Sequence, residues 1–283
     1  MSDIVKRAGG QGSLARKLQN REEESAVVGK LPLPAPGINS SGDLQVVFAF
    51  DTTCSMFPYF KAGKDAIRNI AAELKVKRPS AEFCYIAYKN HGDEQYFGTS
   101  YPFFATEFTS NADSLIQSLD RIDNSGGGDD GLTAIEDVLH YLSSEVNWRP
   151  RATKVLVLIG DMPPHGVVDA VSQCPHEYDY REEAERLNRK GVKIYSVHCF
   201  DERDLAGQRL QKIQGFFKQI AEDNGGKYLT MEDINEVSQL LIGICMKEIG
   251  HLSEFIRDLK SSGQLTPGTE RKLRLLEGKR DGG

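Results

Sequence analysis

Apolar residues gather most densely in two short runs, Leu-Gln-Val-Val-Phe-Ala-Phe at 44–50 and Val-Leu-Val-Leu-Ile-Gly at 155–160, and each run is closed by an aspartate, Asp51 and Asp161. A strand wetted on one face alternates apolar with polar. Near-unbroken runs mark strands covered on both faces, hence the centre of a parallel sheet. Weaker strand patterns fall at 81–88, 192–199 and 227–229. A further one near 103–108 follows its predecessor after a loop too short for a crossover, so it is expected to pair antiparallel at the sheet edge. Helical periodicity covers 58–77, with Pro58 near the first turn, then 111–122, 131–144, 181–190 ended by Gly191, 211–224 and 234–260. Strands alternating with helices need crossovers, and right-handed crossovers wind a mostly parallel sheet with helices on both faces. The expected fold is α/β, doubly wound and Rossmann-like, with one antiparallel edge strand. Ligands of such sheets bind outside the carboxyl ends of the strands, where Asp51 and Asp161 stand.

The pattern covers 43–260. Residues 1–42 are rich in Gly, Ser and charge, include a short helical stretch at 12–24, and end in Leu31-Pro-Leu-Pro-Ala-Pro-Gly37, so they are expected to form a flexible tail. Thr266-Pro-Gly interrupts the chain again, leaving 261–283 as a docking segment or tail. Five basic residues between Arg271 and Arg280 fit an anionic partner, while Leu273 and Leu276 at helical spacing fit a docking helix. Gly282-Gly283 is read as a disordered end.

Composition narrows the class. With 39% hydrophobic and 27% charged residues and a net charge of −6, the chain is an ordinary globular protein whose acidity speaks against nucleic-acid binding. No stretch approaches the roughly 18 apolar residues of a membrane helix, and the first residues form no signal-peptide core, so a cytoplasmic location is expected. The five cysteines are odd in number and include no Cys-x-x-Cys pair, which fits packed thiols in a reducing compartment. Cys174, His176, His165 and the His198-Cys199 pair do not have zinc-motif spacing, and strand neighbours face opposite ways, so no zinc site is expected.

Asp51, Thr53 and Ser55 occupy alternate positions in the loop leaving the first central strand, so a loop curling over the strand end aims three oxygens at one point. The loop Gly126-Gly-Gly-Asp-Asp130 precedes a helix, and Asp161 ends the other central strand. Three segments thus bring oxygen donors to one rim, the donor class that Mg²⁺ prefers. Asp51-Thr-Thr-Cys-Ser55 resembles the DxSxS motif of the metal-ion-dependent adhesion site in von Willebrand factor A-type domains, with Thr53 in place of the first serine. The family's Gly-rich loop aligns with 126–129, placing Asp129 where a threonine is usual, and its strand-end aspartate aligns with Asp161. The GGGDD loop and Gly160-Asp-Met-Pro-Pro-His165 are similar to the intracellular and bacterial branch of the family, typified by A domains fused to alpha-kinases.

That resemblance implies a metal-dependent protein-interaction module, without catalysis, working in a multi-protein assembly. Its ligand set is Asp51, Thr53, Ser55, Asp129 and Asp161, and its cation is Mg²⁺, with Mn²⁺ or Ca²⁺ tolerated. Asp130 stays open as an alternative ligand or as a helix N-terminal charge. Three aspartates sum to −3, so a fourth carboxylate from a partner would be repelled. Tight metal retention and a partner contact that need not be acidic follow.

Other readings of the same residues stay open. Asp51 and Ser55 serve equally as strand-end and helix caps. His91, Asp93 and His165 are either rim groups or ordinary turn residues. Gly126 to Gly128 suit backbone turning, and no Lys-Ser/Thr follows them as a phosphate loop requires. A haloacid-dehalogenase-like phosphotransferase would use Asp51 as nucleophile. Against it, Thr53 replaces the usual second aspartate, and no further acid follows Gly160-Asp161. A scaffold with a vestigial metal site is the third reading.

Overall fold

A computed structural model of the chain describes residues 43–122, 126–127, 131–199, 207–231 and 233–278. The expected tail at 1–42, with its helical stretch and proline run, lies outside the described residues. So do Gly128, Asp129, Asp130 and the final 279–283.

Six strands form one sheet: β1 (Leu44–Asp51), β2 (Glu82–Tyr88), β3 (Phe103–Ala105), β4 (Thr153–Gly160), β5 (Val192–Cys199) and β6 (Tyr228–Met231). Their order is β3-β2-β1-β4-β5-β6, with only β3 antiparallel. The chain winds outward from β1 toward β2 and later from β4 toward β6. The strand order therefore reverses between β1 and β4, which stand side by side with Phe50 opposite Ile159. All eight residues of β1 are buried, as a strand covered on both faces requires.

The two faces of β1 address different helices. Leu44, Val46, Phe48 and Phe50 pack with Phe60, Ile67 and Leu74 of α1 (Phe57–Lys77) and with Leu240 and Ile244 of α6 (Val237–Glu248). Phe50 stacks on Tyr85 at 6.0 Å and meets Phe60 edge-on at 6.2 Å. Val47 and Ala49 face the opposite layer, where α3 (Ile135–Ser144) supplies Val138 and Leu142, α4 (Tyr180–Arg189) supplies Leu187 and α5 (Gln208–Asp223) supplies Phe217. Each such side chain removed from water contributes about 1.5–3 kcal/mol. A short helix α2 (Ala112–Leu119), whose Asn111 side chain caps two backbone amides, precedes the Gly-rich segment.

Three expected elements differ in extent. The helix read at 131–144 begins at Ile135, because Thr133 and Ala134 give their amides to Pro163 O and Lys89 O and tie the segment to the rim. The helix read at 234–260 breaks at Gly250, which takes φ 80°, a conformation that ends α6 before α7 (Leu252–Ser261) starts. The edge strand is only three residues long, with one isolated bridge, Phe83 to Thr109, beyond it. The segment after Thr266 forms α8 (Pro267–Leu276), whose Leu273 and Leu276 are buried in the core cluster that contains α6. Among the described residues no helix is long and apolar enough to cross a membrane.

Candidate metal centre

The carboxyl ends of β1 and β4 deliver Asp51 and the next residue, Asp161, to adjacent places on one rim. Glycine at 160 is what permits the approach. A Cβ there would lie 2.6 Å from the Tyr88 hydroxyl, which itself donates to Ile159 O at 2.9 Å, and 3.3 Å from the Asp51 Cβ.

The loop after β1 sorts its hydroxyls as the alternation requires. Thr52 points away and donates to Tyr88 O, while Thr53 donates to Asp51 Oδ1 through both its amide (2.9 Å) and its hydroxyl (2.6 Å). The Ser55 hydroxyl stands 3.4 Å from that of Thr53. Ser55 caps no helix: it sits in a 3₁₀ turn, Cys54–Met56, and α1 starts without a side-chain cap. Asp51, Thr53, Ser55 and Asp161 are thus brought together, with Ser55 and Asp51 both acting on the Asp161 carboxyl.

The Gly-rich segment reaches the same place. Gly126 O accepts from Cys54 N at 3.1 Å, and Gly127 N donates to Asp93 Oδ2 at 2.9 Å. Gly126 adopts φ 95°, and a Cβ on it would strike the Asp93 carboxyl at 2.9 Å. Asp93 is therefore the tether of this loop rather than an ordinary turn residue. Asp129 lies outside the described residues.

Electrostatically the pair is costly as it stands. Burial, followed by the charge of Asp161, pushes the Asp51 carboxyl well above the usual range, although Thr53 and Lys89 pull the other way. Burial likewise raises Asp161. Asp51 Oδ2 and Asp161 Oδ1 are buried without a hydrogen-bond partner. A buried acceptor left unpaired costs about 1–3 kcal/mol. Two such oxygens beside two hydroxyls fit a hard divalent cation that retains some of its water. Lys89, whose charge acts on Asp51, is fully buried, its ammonium donating to Thr52 O at 2.6 Å and lying over the rings of Tyr96 and Phe97.

A second group of donors, not foreseen from spacing, lies at the same end of the sheet. His91 follows β2, Glu136 and Asp137 occupy the first turn of α3, and Cys174 belongs to the loop after β4. One donor atom from each falls within 4.8 Å of the others. His165 Nδ1 meets Glu136 Oε1, and His176 Nδ1 meets Asp137 Oδ1, each at 2.5 Å. This cluster can coordinate a divalent cation. Burial works to lower the His91 pKa, but its hydrogen bonds with Asp137, Cys174 and Glu136 overcome this and push the group up to about 12. Burial raises the Asp137 carboxyl, and the contacts with His91 and His176 reverse the direction to a net lowering.

Sequence spacing thus hid one donor, Cys174, which tertiary structure unites with His91, while His165 and His176 stand beside the group against Glu136 and Asp137. His198 and Cys199 do face opposite layers: His198 stacks on Phe217 at 4.6 Å, and Cys199 packs with Met231 in the other core.

Comparisons with known proteins agree with this geometry. The model of the von Willebrand factor type A domain matches residues 45–241, a span that includes both Asp51 and Asp161. An alpha-protein kinase, vwkA of Dictyostelium discoideum, is 27% identical over 153 residues, which is 53% of this chain but only 22% of that protein. The pilus adhesin SpaC of Lactobacillus rhamnosus GG, in its open conformation, superposes with a TM-score of 0.58 at 14% identity, covering 75% of this chain and 30% of the adhesin. A second crystal form of that adhesin gives 0.57 at 15% identity, covering 74% of this chain and 31% of the adhesin. At these identities the two adhesin structures speak for the fold alone. The family is one of non-catalytic adhesion and interaction modules, so the reading of Asp51 as a phosphotransferase nucleophile is set aside. With its sheet order, its rim aspartates and a family match over most of its length, this chain belongs to the von Willebrand factor type A domain family.

Proposed function

We propose that this chain is a metal-dependent protein-binding module of the family's intracellular branch, holding Mg²⁺ between Asp51, Thr53, Ser55, Asp129 and Asp161. One observation carries the reading: Asp51 Oδ2 and Asp161 Oδ1 are two buried carboxylate oxygens without donors, at the point where the strand order reverses. A cation there would supply a positive centre with open coordination positions for an oxygen of the partner. With Asp129 as a third carboxylate the site carries −3 against +2, so the partner's oxygen is better neutral than acidic. Mn²⁺ and Ca²⁺ are tolerated by the same donors.

The surface around the site suits a protein partner. Of the large hydrophobic side chains exposed among the described residues, Phe57, Tyr96 and Tyr101 all belong to segments at the carboxyl ends of β1 and β2. Exposed aromatics around a polar centre are the composition of a binding patch. The alpha-kinase relative supports the choice of branch, and work within a multi-protein assembly is part of the proposal.

Titration calorimetry with Mg²⁺ on the full chain, followed by affinity capture with and without chelator, tests the proposal. Saturable binding of one Mg²⁺, and captured proteins released both by chelator and by Asp51→Ala, are expected. Capture indifferent to chelator and to Asp51→Ala would replace this reading with a scaffold whose metal site is vestigial.

A further inference from the structure

We infer that His91, Glu136, Asp137 and Cys174 form a second, resident cation site of the zinc class, separate in every ligand from the site at Asp51. The four donor atoms lie within 4.8 Å of one another, and the separations around His91 Nε2 and Cys174 Sγ are close to those of a tetrahedral shell. His91 Nε2 lies 3.1 Å from Asp137 Oδ2, 3.5 Å from Glu136 Oε1 and 3.6 Å from Cys174 Sγ, and that sulfur is 3.5 Å from Asp137 Oδ2. Around an ion with bonds of about 2.0 Å to N or O and about 2.3 Å to S, tetrahedral ligands stand roughly 3.3–3.6 Å apart. One imidazole, one thiol and two carboxylates is a borderline-soft set, chosen by Zn²⁺ or Co²⁺ over Mg²⁺.

The surroundings are those of a built site. Glu136 and Asp137 are 1% and 2% exposed, and Glu136 Oε2 is buried with no hydrogen-bond partner. Asp137 is gripped from behind, its Oδ1 held by His176 in the manner of outer partners that orient metal ligands, while His165 contacts Oε1 of Glu136, the oxygen that also faces His91. A turn closed by Glu177 N donating to Cys174 O, with Pro175 at its second position, aims Cys174 and His176 at the same aspartate. Glu177, at φ 62°, is the one non-glycine residue of positive φ among the described residues. A cavity of about 450 Å³ bordered by His165, Cys174 and Tyr178 gives the ion a path from solvent.

The site explains how a long irregular segment is held. Residues 161–179 contain neither helix nor strand, a length at which loops are uncommon unless something fixes them. Zinc bound by Cys174 would pin this loop to α3 and to the segment after β2. The same loop begins at Asp161, so the clamp also steadies one side of the proposed Mg²⁺ site. On binding, the Cys174 thiol and the His91 imidazolium each give up one proton to solvent, and His91 then coordinates as neutral imidazole.

Co²⁺ is the probe, added to the full chain in excess Mg²⁺. One Co²⁺ per chain is expected, with the intense visible bands of four-coordination and a near-ultraviolet thiolate charge-transfer band. That band should vanish in Cys174→Ser, weaken at least a hundredfold in apparent affinity in His91→Ala, and persist in Asp51→Asn. A band that survives Cys174→Ser, or is lost in Asp51→Asn, overturns the assignment. Should Cys174→Ser fail to fold, zinc K-edge absorption on the unaltered protein decides: one sulfur at about 2.3 Å among N/O ligands at about 2.0–2.1 Å is expected. A shell without sulfur overturns it.

Discussion

Asp51 and Asp161 bring two buried carboxylates together from neighbouring strands, and each keeps one oxygen without a hydrogen-bond donor. Such a pair is unfavourable in the folded protein until a cation joins it. Burial and mutual repulsion both oppose ionisation of Asp51. On the proposed reading the site trades stability for binding. Asp51→Asn keeps an acceptor for Thr53 while removing a charge. In chelator it should raise the stability of the protein by about 1–2 kcal/mol, and it should abolish Mg²⁺ binding. Urea denaturation and calorimetry on the same variant check both halves. A variant less stable in chelator than the wild type would contradict this account of the pair.

In the proposed site Asp129 is the ligand that would separate it from the threonine-bearing adhesion type. Asp129→Ala is expected to weaken Mg²⁺ at least tenfold, whereas Asp130→Ala, at a position read as a helix N-terminal charge, should change it little. Calorimetry of the two variants side by side decides between the carboxylates. An unchanged affinity in Asp129→Ala removes it from the ligand set and restores room for an acidic partner.

Gly160 lets the rim close. In Gly160→Ala the new methyl meets the buried Tyr88 hydroxyl at 2.6 Å, and that hydroxyl is already committed to Ile159 O. A loss of about 1–3 kcal/mol is expected from overpacking, together with weaker Mg²⁺ binding as Asp51 is displaced. Thermal unfolding with and without Mg²⁺ separates the two effects. Full wild-type stability in this variant would show that the rim yields more readily than its packing implies.

How far the sequence carried this picture can be judged from particular residues. β1 and β4 announce themselves because a strand covered on both faces needs apolar residues at successive positions, and their closing aspartates follow directly. The alternation of 51, 53 and 55 was legible for the same reason, with Thr52 turned to Tyr88. Helix limits were less so: the start of α3 at Ile135 depends on Lys89 O and Pro163 O, which no local pattern displays. The histidine and cysteine cluster was invisible to spacing. His91, Asp137 and Cys174 come from three segments separated by whole strands and helices, and motif arithmetic works only on ligands that are near in sequence. A usable signal was present in the rim position of His91 and His165, each just beyond a strand end.

Away from the rim, acid stability should hinge on Glu248. Its buried carboxylate accepts from Lys193 at 2.7 Å and from Tyr195 at 2.5 Å. Burial works to raise its pKa, but Lys193 and Lys247 bring it below the ordinary 4.5. A depressed carboxylate contributes its full stability above the unfolded pKa and loses it as pH falls through the folded value. Glu248→Gln should therefore cost about 1–3 kcal/mol at pH 7. The gap to wild type should narrow progressively below pH 4.5. Urea midpoints across that range provide the measurement, and a gap independent of pH would assign the loss to packing alone.

The central claim, that Asp51 and Asp161 hold a cation, is tested most directly by anomalous scattering from crystals grown with Mn²⁺. A peak bonded to Asp51, Ser55 and Asp161, with Asp129 completing the carboxylate set, is the result expected here. A structure in which Asp51 and Asp161 share a proton at saturating Mn²⁺, with no peak between them, would contradict it.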